Sequence, residues 1–140
     1  MRNHGLQTLL RLARWRLDEA RKALAEKEQR LALLWSHDGE LARRLERERM
    51  QARGAFHQAS FAAFATRIKQ ERHRIAEQAH ALEAEIEAER DELRDLFAER
   101  KRIEILAERR AAEEEAALAR EEQAMFDEVG LRRHEGPSAL

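Results

Sequence analysis

Apolar residues recur every seven positions along most of this chain, and this repeat is the strongest constraint on its fold. In the first third of the chain, one row of the repeat is followed three residues later by a second row, and Leu45 resumes the first row after a polar interruption at Asp38. The first row comprises Leu10, Leu17, Leu24 and Leu31, and the second comprises Leu6, Ala13, Ala20, Leu34 and Leu41. Two such rows on one face predict a coiled-coil helix.

A second heptad repeat occupies the later part of the chain. It comprises Phe61, Ile68, Ile75, Leu82, Leu96 and Ile103, with Phe64, Ala79, Ile86 and Leu93 beside it. Between the two repeats lies Gln51–Ser60, where Gly54 is the natural helix breaker and Ser60 is a suitable N-cap. We therefore expect an all-α chain with helix 1 at about 6–50, a turn at about 51–59, helix 2 at about 60–133 and a disordered tail at 134–140, all in one coiled-coil domain.

Folding the chain back near Gly54 pairs the two repeats in an antiparallel hairpin. Residues that face each other then have numbers with a nearly constant sum, as for Leu6 with Ile103 and Leu41 with Ile68. The same rule places Arg72 opposite Asp38. Gly39 is an alternative turn position, but a turn there pairs the first repeat with a weakly apolar segment, so we favour Gly54.

The unequal helix lengths leave the end of helix 2 without a partner. Pairing is exhausted near Ile103, and the following stretch, ILAERRAAEEEAALAREEQAMFDE, has good helix formers but few large apolar residues. We expect it to project beyond the start of helix 1 as a single helix. Near the turn, Met50, Phe56, Phe61 and Phe64 are expected to cluster as an apolar plug.

Composition excludes several classes of function. The chain is 39% charged with a net charge of −1, and its mixed signs do not form the basic stripe of a nucleic-acid binder. It has no cysteine, and its six histidines do not supply three or four convergent ligands, so we expect no metal site. We find no phosphate loop, catalytic triad or enclosed carboxylate pair, and we expect no catalytic residues, no cofactor and no enzymatic activity.

No run approaches the roughly 20 apolar residues of a membrane span, which predicts no direct insertion into a membrane.

Apolar residues outside the repeats are more informative. Leu9, Leu12 and Trp15 lie off the seam of helix 1, and exposed tryptophan is a common anchor of protein interfaces.

Both ends of the chain resemble the flagellar export protein family FliJ. The resemblance is carried by LQTLLRLARWRLDEARKAL at the start and by LAERR followed by the acidic pair Asp127 and Glu128 near the end. It implies a cytoplasmic component, peripherally associated with the inner-membrane apparatus of flagellar type III export. Its fold would be a two-helix antiparallel coiled coil similar to the γ-subunit stalk of rotary ATPases.

The resemblance also implies partners. The open end of such a hairpin inserts into the hexameric ring of the export ATPase FliI, the turn-side half contacts the export gate protein FlhA, and export chaperones are possible further partners. By position, the gate-binding residues would be Leu41, Phe64 and Ile68. The ring-binding residues would be Leu6, Leu9, Leu12, Trp15, Leu118, Met125 and Phe126.

Two alternatives remain open at this point. The first is a structural coiled-coil adaptor that dimerises through the same repeats, as one long parallel pair without a hairpin. The second is the related YscO-like stalk of virulence type III secretion.

Overall fold

The computed structural model describes residues 4–135, and all of them except 52 and 53 are helical. Helix α1 is His4–Gln51 and helix α2 is Gly54–Glu135. The two helices pack against each other as an antiparallel hairpin, which confirms the predicted fold class. The alternative of one long parallel pair without a hairpin is therefore wrong.

The turn is much tighter than the sequence suggested. The backbone N–H of Ala52 donates to the carbonyl of Arg49 at 3.3 Å, and Gly54 has a φ of 82°. Because glycine adopts this left-handed conformation without steric cost, the two-residue connection 52–53 followed by Gly54 reverses the chain and no long loop is needed. The prediction of a turn at 51–59 with Ser60 as the N-cap was wrong, whereas the preference for Gly54 over Gly39 is confirmed.

At the other end, α2 continues through His134 and Glu135, which had been assigned to the tail. The rest of the predicted disordered tail, residues 136–140, lies outside the described residues, as do residues 1–3.

Contacts within the chain define two units, and each contains a piece of both helices. The turn unit is Arg16–Asp95, and the terminal unit consists of the residues up to Trp15 together with those from Leu96 onward. The grouping of the whole chain into one domain stays a prediction.

The turn unit contains most of the buried seam. Leu17 is its most deeply buried large side chain, at 1% exposure. The other buried apolar residues here are Leu41, Ala65, Ile68, Ile75, Ala79, Leu82 and Ile86. Along α2, neighbouring members of this set are three, four or seven residues apart, which is the spacing expected for side chains that interlock across a coiled-coil seam.

The terminal unit has a smaller core. Leu6 and Ala13 are buried, and Leu96 and Ile103 of α2 are half-buried. From residue 108 to residue 134, every side chain except Ala117 is exposed. We call residues 108–135 the overhang, since no residue of the described part of α1 covers them.

Candidate functional site

Leu6, the first predicted ring-binding residue, is part of the seam of the terminal unit. It is only 7% exposed, so its apolar side chain holds the start of α1 against α2. Ion pairs lie beside this seam: Glu104 is 3.7 Å from Arg14 and 3.5 Å from Arg100. Leu6 can therefore support a binding surface but presents little surface of its own.

Leu9, Leu12 and Trp15 point away from this seam. Their exposures are 51%, 40% and 60%. Each lies three residues after the last, so successive side chains are offset by about 60° around the helix and together cover a broad arc. An exposed tryptophan next to two exposed leucines is an uncommon concentration of apolar surface on a charged helix.

The overhang carries the remaining predicted ring-binding residues, all well exposed. Leu118, Met125 and Phe126 are 59%, 67% and 72% exposed. Leu118 and Met125 are seven residues apart and share one side of the helix, whereas Phe126 is offset from Met125 by about 100°. The terminal unit thus contains all of the predicted ring-binding residues, some on α1 and the others on the overhang.

Two exposed apolar residues of the overhang were missed by the sequence reasoning. Val129 is 48% exposed and Leu131 is 62% exposed. Val129 lies four residues after Met125, on the side of α2 that also carries Leu118. The spacing of seven and then four residues is a heptad signal that could have revealed this stripe from the sequence alone.

The predicted gate-binding residues lie in the core of the turn unit. Leu41 and Ile68 are 6% and 5% exposed and form a buried cluster with Ile75, against which Phe64 packs. The structure thus brings Leu41, Phe64 and Ile68 together, but the two aliphatic side chains face the opposite helix. Phe64 is only half-buried, and its ring lies 5.2 Å from the guanidinium carbon of Arg44. Gate binding by these residues stays a prediction.

The aromatic residues at the turn do not all form the expected plug. Phe61 and Phe64 are half-buried, but Met50 is 74% exposed and Phe56 is 80% exposed. The expectation was wrong for Met50 and Phe56, because their side chains face solvent and cover no part of the seam.

A further exposed apolar pair lies on α1 within the turn unit. Leu33 is 62% exposed, and Trp35 is 40% exposed with its ring edge-on to His80 at a centroid distance of 6.3 Å. Both residues stand next to Leu34 of the seam, and their position outside the heptad rows was the signal available in the sequence.

Charged residues also enter the seam of the turn unit. Arg72 donates from Nε to Oδ1 of Asp38 at 2.9 Å and from Nη2 to Oδ2 at 3.3 Å, which confirms the predicted contact and supports the predicted register. This hydrogen-bonded carboxylate raises the pKa of Arg72 above its ordinary value.

Lys27 forms the second charged contact in this seam. Its ammonium donates to Oε1 of Glu89 and lies 3.6 Å from Glu85. The hydrogen bond to Glu89 raises the pKa of Lys27, and the negative charges of Glu89 and Glu85 add to the effect. Both charged contacts join α1 to α2, so they favour one register of the hairpin.

The described residues offer no obvious centre for chemistry. Among residues 4–135, no group of three His, Asp or Glu side chains is arranged to hold a metal ion. Nor does any helix in that range combine the length and hydrophobicity required to cross a bilayer. The notable surfaces of the described chain are therefore its exposed apolar patches.

Comparison with known proteins gives one match. The family model described as "Flagellar FliJ protein" matches residues 3–138. Searches of curated proteins and of solved structures gave no match. The family match covers nearly the whole chain, including both helices and both predicted binding surfaces. It connects the chain with flagellar type III export. Members of this family are non-catalytic components of that apparatus. The chain is therefore a member of the flagellar FliJ family.

Proposed function

We propose that this protein is a non-enzymatic central stalk of the flagellar export apparatus. In this proposal the terminal unit inserts into the hexameric ring of the export ATPase, and the turn unit links that ring to the export gate. An escort role for export chaperones belongs to the same proposal. The observation that carries it is the overhang, a continuous helical segment whose exposed apolar residues have no partner within the described chain.

The overhang suits a binding site that surrounds it. Its apolar residues are few and are separated by charged residues, so a ring could contact it from more than one side. Exposed charged pairs contribute at most about 1 kcal/mol each. Affinity would therefore come mainly from Leu118, Met125 and Phe126, together with Leu9, Leu12 and Trp15 of α1.

A truncation tests the insertion of the overhang. The full-length chain and a chain ending at Ala107 would be compared for binding to the purified export ATPase hexamer. We expect the truncated chain to bind at least about tenfold more weakly, a loss of about 1.4 kcal/mol. Undiminished binding by the truncated chain would contradict insertion through the overhang.

Point substitutions separate a local contact from a general loss of helix. The triple variant L118A/M125A/F126A keeps the overhang helical, because alanine is the best helix former. Leu33→Ala is the matched control, since Leu33 is 62% exposed, close to the 59% of Leu118, but lies in the turn unit. We expect the triple variant to weaken ATPase binding and the control to leave it unchanged.

Binding to the gate is tested at Phe64, because Leu41 and Ile68 are buried and their replacement would lower the stability of the fold as well as change the surface. We expect Phe64→Ala to weaken binding to the cytoplasmic domain of the gate protein, with helicity checked by circular dichroism. Unchanged binding by a folded Phe64→Ala variant would argue against the assignment of Leu41, Phe64 and Ile68 to the gate and would leave the ATPase assignment intact.

A further inference from the structure

The start of α1 presents a basic surface with exposed apolar residues. Between His4 and Leu17 the chain contains arginines at positions 11, 14 and 16 and no acidic residue. Within the terminal unit, we define the basic face as Leu9, Leu12 and Trp15 with Arg11 and Arg14, all of which are exposed. Arginine and tryptophan are both enriched at protein interfaces.

The overhang presents a surface of opposite charge. Residues 111–128 carry seven acidic side chains and a single arginine. We define the acidic stripe as Leu118, Met125 and Val129 with Glu121 and Glu122. The other four residues each lie three, four or seven positions from Met125 and therefore share its side of the helix. Its apolar residues are 48% to 67% exposed.

The two surfaces cannot meet within one molecule. Helix α2 runs without interruption from Gly54 to Glu135, so the overhang cannot fold back onto α1. The pairing register places His4 opposite residue 105 or 106, which leaves Leu118 about 20 Å further along the helix at 1.5 Å per residue. Contact between the basic face and the acidic stripe therefore requires two molecules.

We propose that this protein forms a dimer in which the acidic stripe of each copy binds the basic face of the other. Each copy carries both surfaces in its terminal unit, so two copies in an antiparallel arrangement satisfy both contacts and close with twofold symmetry. The second contact forms within the same complex as the first, which strengthens a pair of individually modest interfaces. The dimer covers the exposed leucines and Trp15 and places the glutamates of the stripe near Arg11 and Arg14.

The dimer has a consequence that depends on the proposed function. The surfaces that it covers include residues assigned above to the ATPase ring, so dimerisation and ring insertion exclude each other. In the free protein, the second copy would then cover these apolar surfaces until binding to the ring displaces it. The dimer itself does not depend on the ring assignment.

Sedimentation equilibrium of the full chain tests the dimer over roughly 1 to 100 µM, a range that brackets a micromolar Kd. We expect the wild-type protein to approach twice the chain mass of 16.4 kDa. E121K/E122K and R11E/R14E should each raise the dissociation constant at least about tenfold. Combining all four substitutions reverses the sign of both surfaces and should restore the dimer.

The matched control for E121K/E122K is E26K/E92K. It changes the net charge by the same amount, at two exposed positions of the turn unit. It should dimerise like the wild type, and circular dichroism should show that every variant is folded. A wild-type chain that remains monomeric at the highest concentration would overturn the proposal. So would a folded fourfold variant that stays monomeric, or a control that dissociates as strongly as E121K/E122K. Each of these outcomes is independent of binding to the export ATPase.

Discussion

The contact between Asp38 and Arg72 gives the sharpest test of how this hairpin is held in register. Two hydrogen bonds, of 2.9 and 3.3 Å, join the guanidinium to the carboxylate. The side chains are 20% exposed for Asp38 and 39% exposed for Arg72, so the pair lies between a surface salt bridge and a buried one. Surface pairs contribute about 0–1 kcal/mol, and removing one partner of a buried pair costs about 3–5 kcal/mol. We expect a coupling energy of about 1.5 kcal/mol.

A double-mutant cycle measures this coupling. The variants Asp38→Ala, Arg72→Ala and the double variant would be unfolded with urea and followed by circular dichroism at 222 nm. The control cycle uses Asp91 and Arg94, an ion pair within α2 whose side chains are 67% and 70% exposed. Both residues of that pair lie in the same helix, and their coupling energy should be only about 0.3–0.5 kcal/mol. If the Asp38–Arg72 coupling were no larger than the control, the contact would not stabilise the hairpin as we have argued.

The remaining predictions concern the seam, the glycines and pH. Leu17→Ala should lower the free energy of unfolding by about 2–5 kcal/mol, whereas Leu33→Ala at an exposed position should change it by less than about 0.5 kcal/mol in the same urea assay. Gly39→Ala should stabilise α1 by about 0.5–1 kcal/mol, because the added methyl meets one flexible side-chain end at 3.4 Å. Gly54→Ala should destabilise the turn by about 1–2 kcal/mol, because its φ of 82° strains any other residue, and a neutral result in thermal unfolding would contradict this.

The pH prediction follows from the raised pKa of Lys27. A raised folded-state pKa stabilises the fold fully below the unfolded lysine value of about 10.4, and the stabilisation is lost as pH rises through the folded-state value. The stability difference between wild type and Lys27→Met should therefore be constant from pH 7 to about 9 and should shrink above about 10.4. A difference that already declines between pH 7 and 9 would refute this assignment.

The family resemblance and the family match agree. The assignment of individual residues to a binding partner does not follow from either of them. The heptad rows identified Leu41 and Ile68 as apolar seam residues, and it was the family resemblance that assigned them, by position, to gate binding. The structure shows both in the core. Their apolar side chains are removed from water by packing against the opposite helix, which stabilises the hairpin. A heptad pattern marks residues that need a partner, and it does not say whether the partner is the same chain or another protein.

Sequence alone determined that this chain forms two coiled-coil helices, because a repeat of 3.5 residues leaves one apolar side on each helix. It also favoured Gly54 over Gly39 as the turn position, and the constant pairing sum placed Asp38 opposite Arg72. Tertiary structure decided what sequence spacing cannot encode. The left-handed φ of Gly54 shortened the turn to two residues and extended α2 back to Gly54. The hydrogen bond from Lys27 to Glu89 depended on the conformations of two flexible side chains on facing helices. The exposure of Trp15 and Val129 depended on which residues the opposite helix covers.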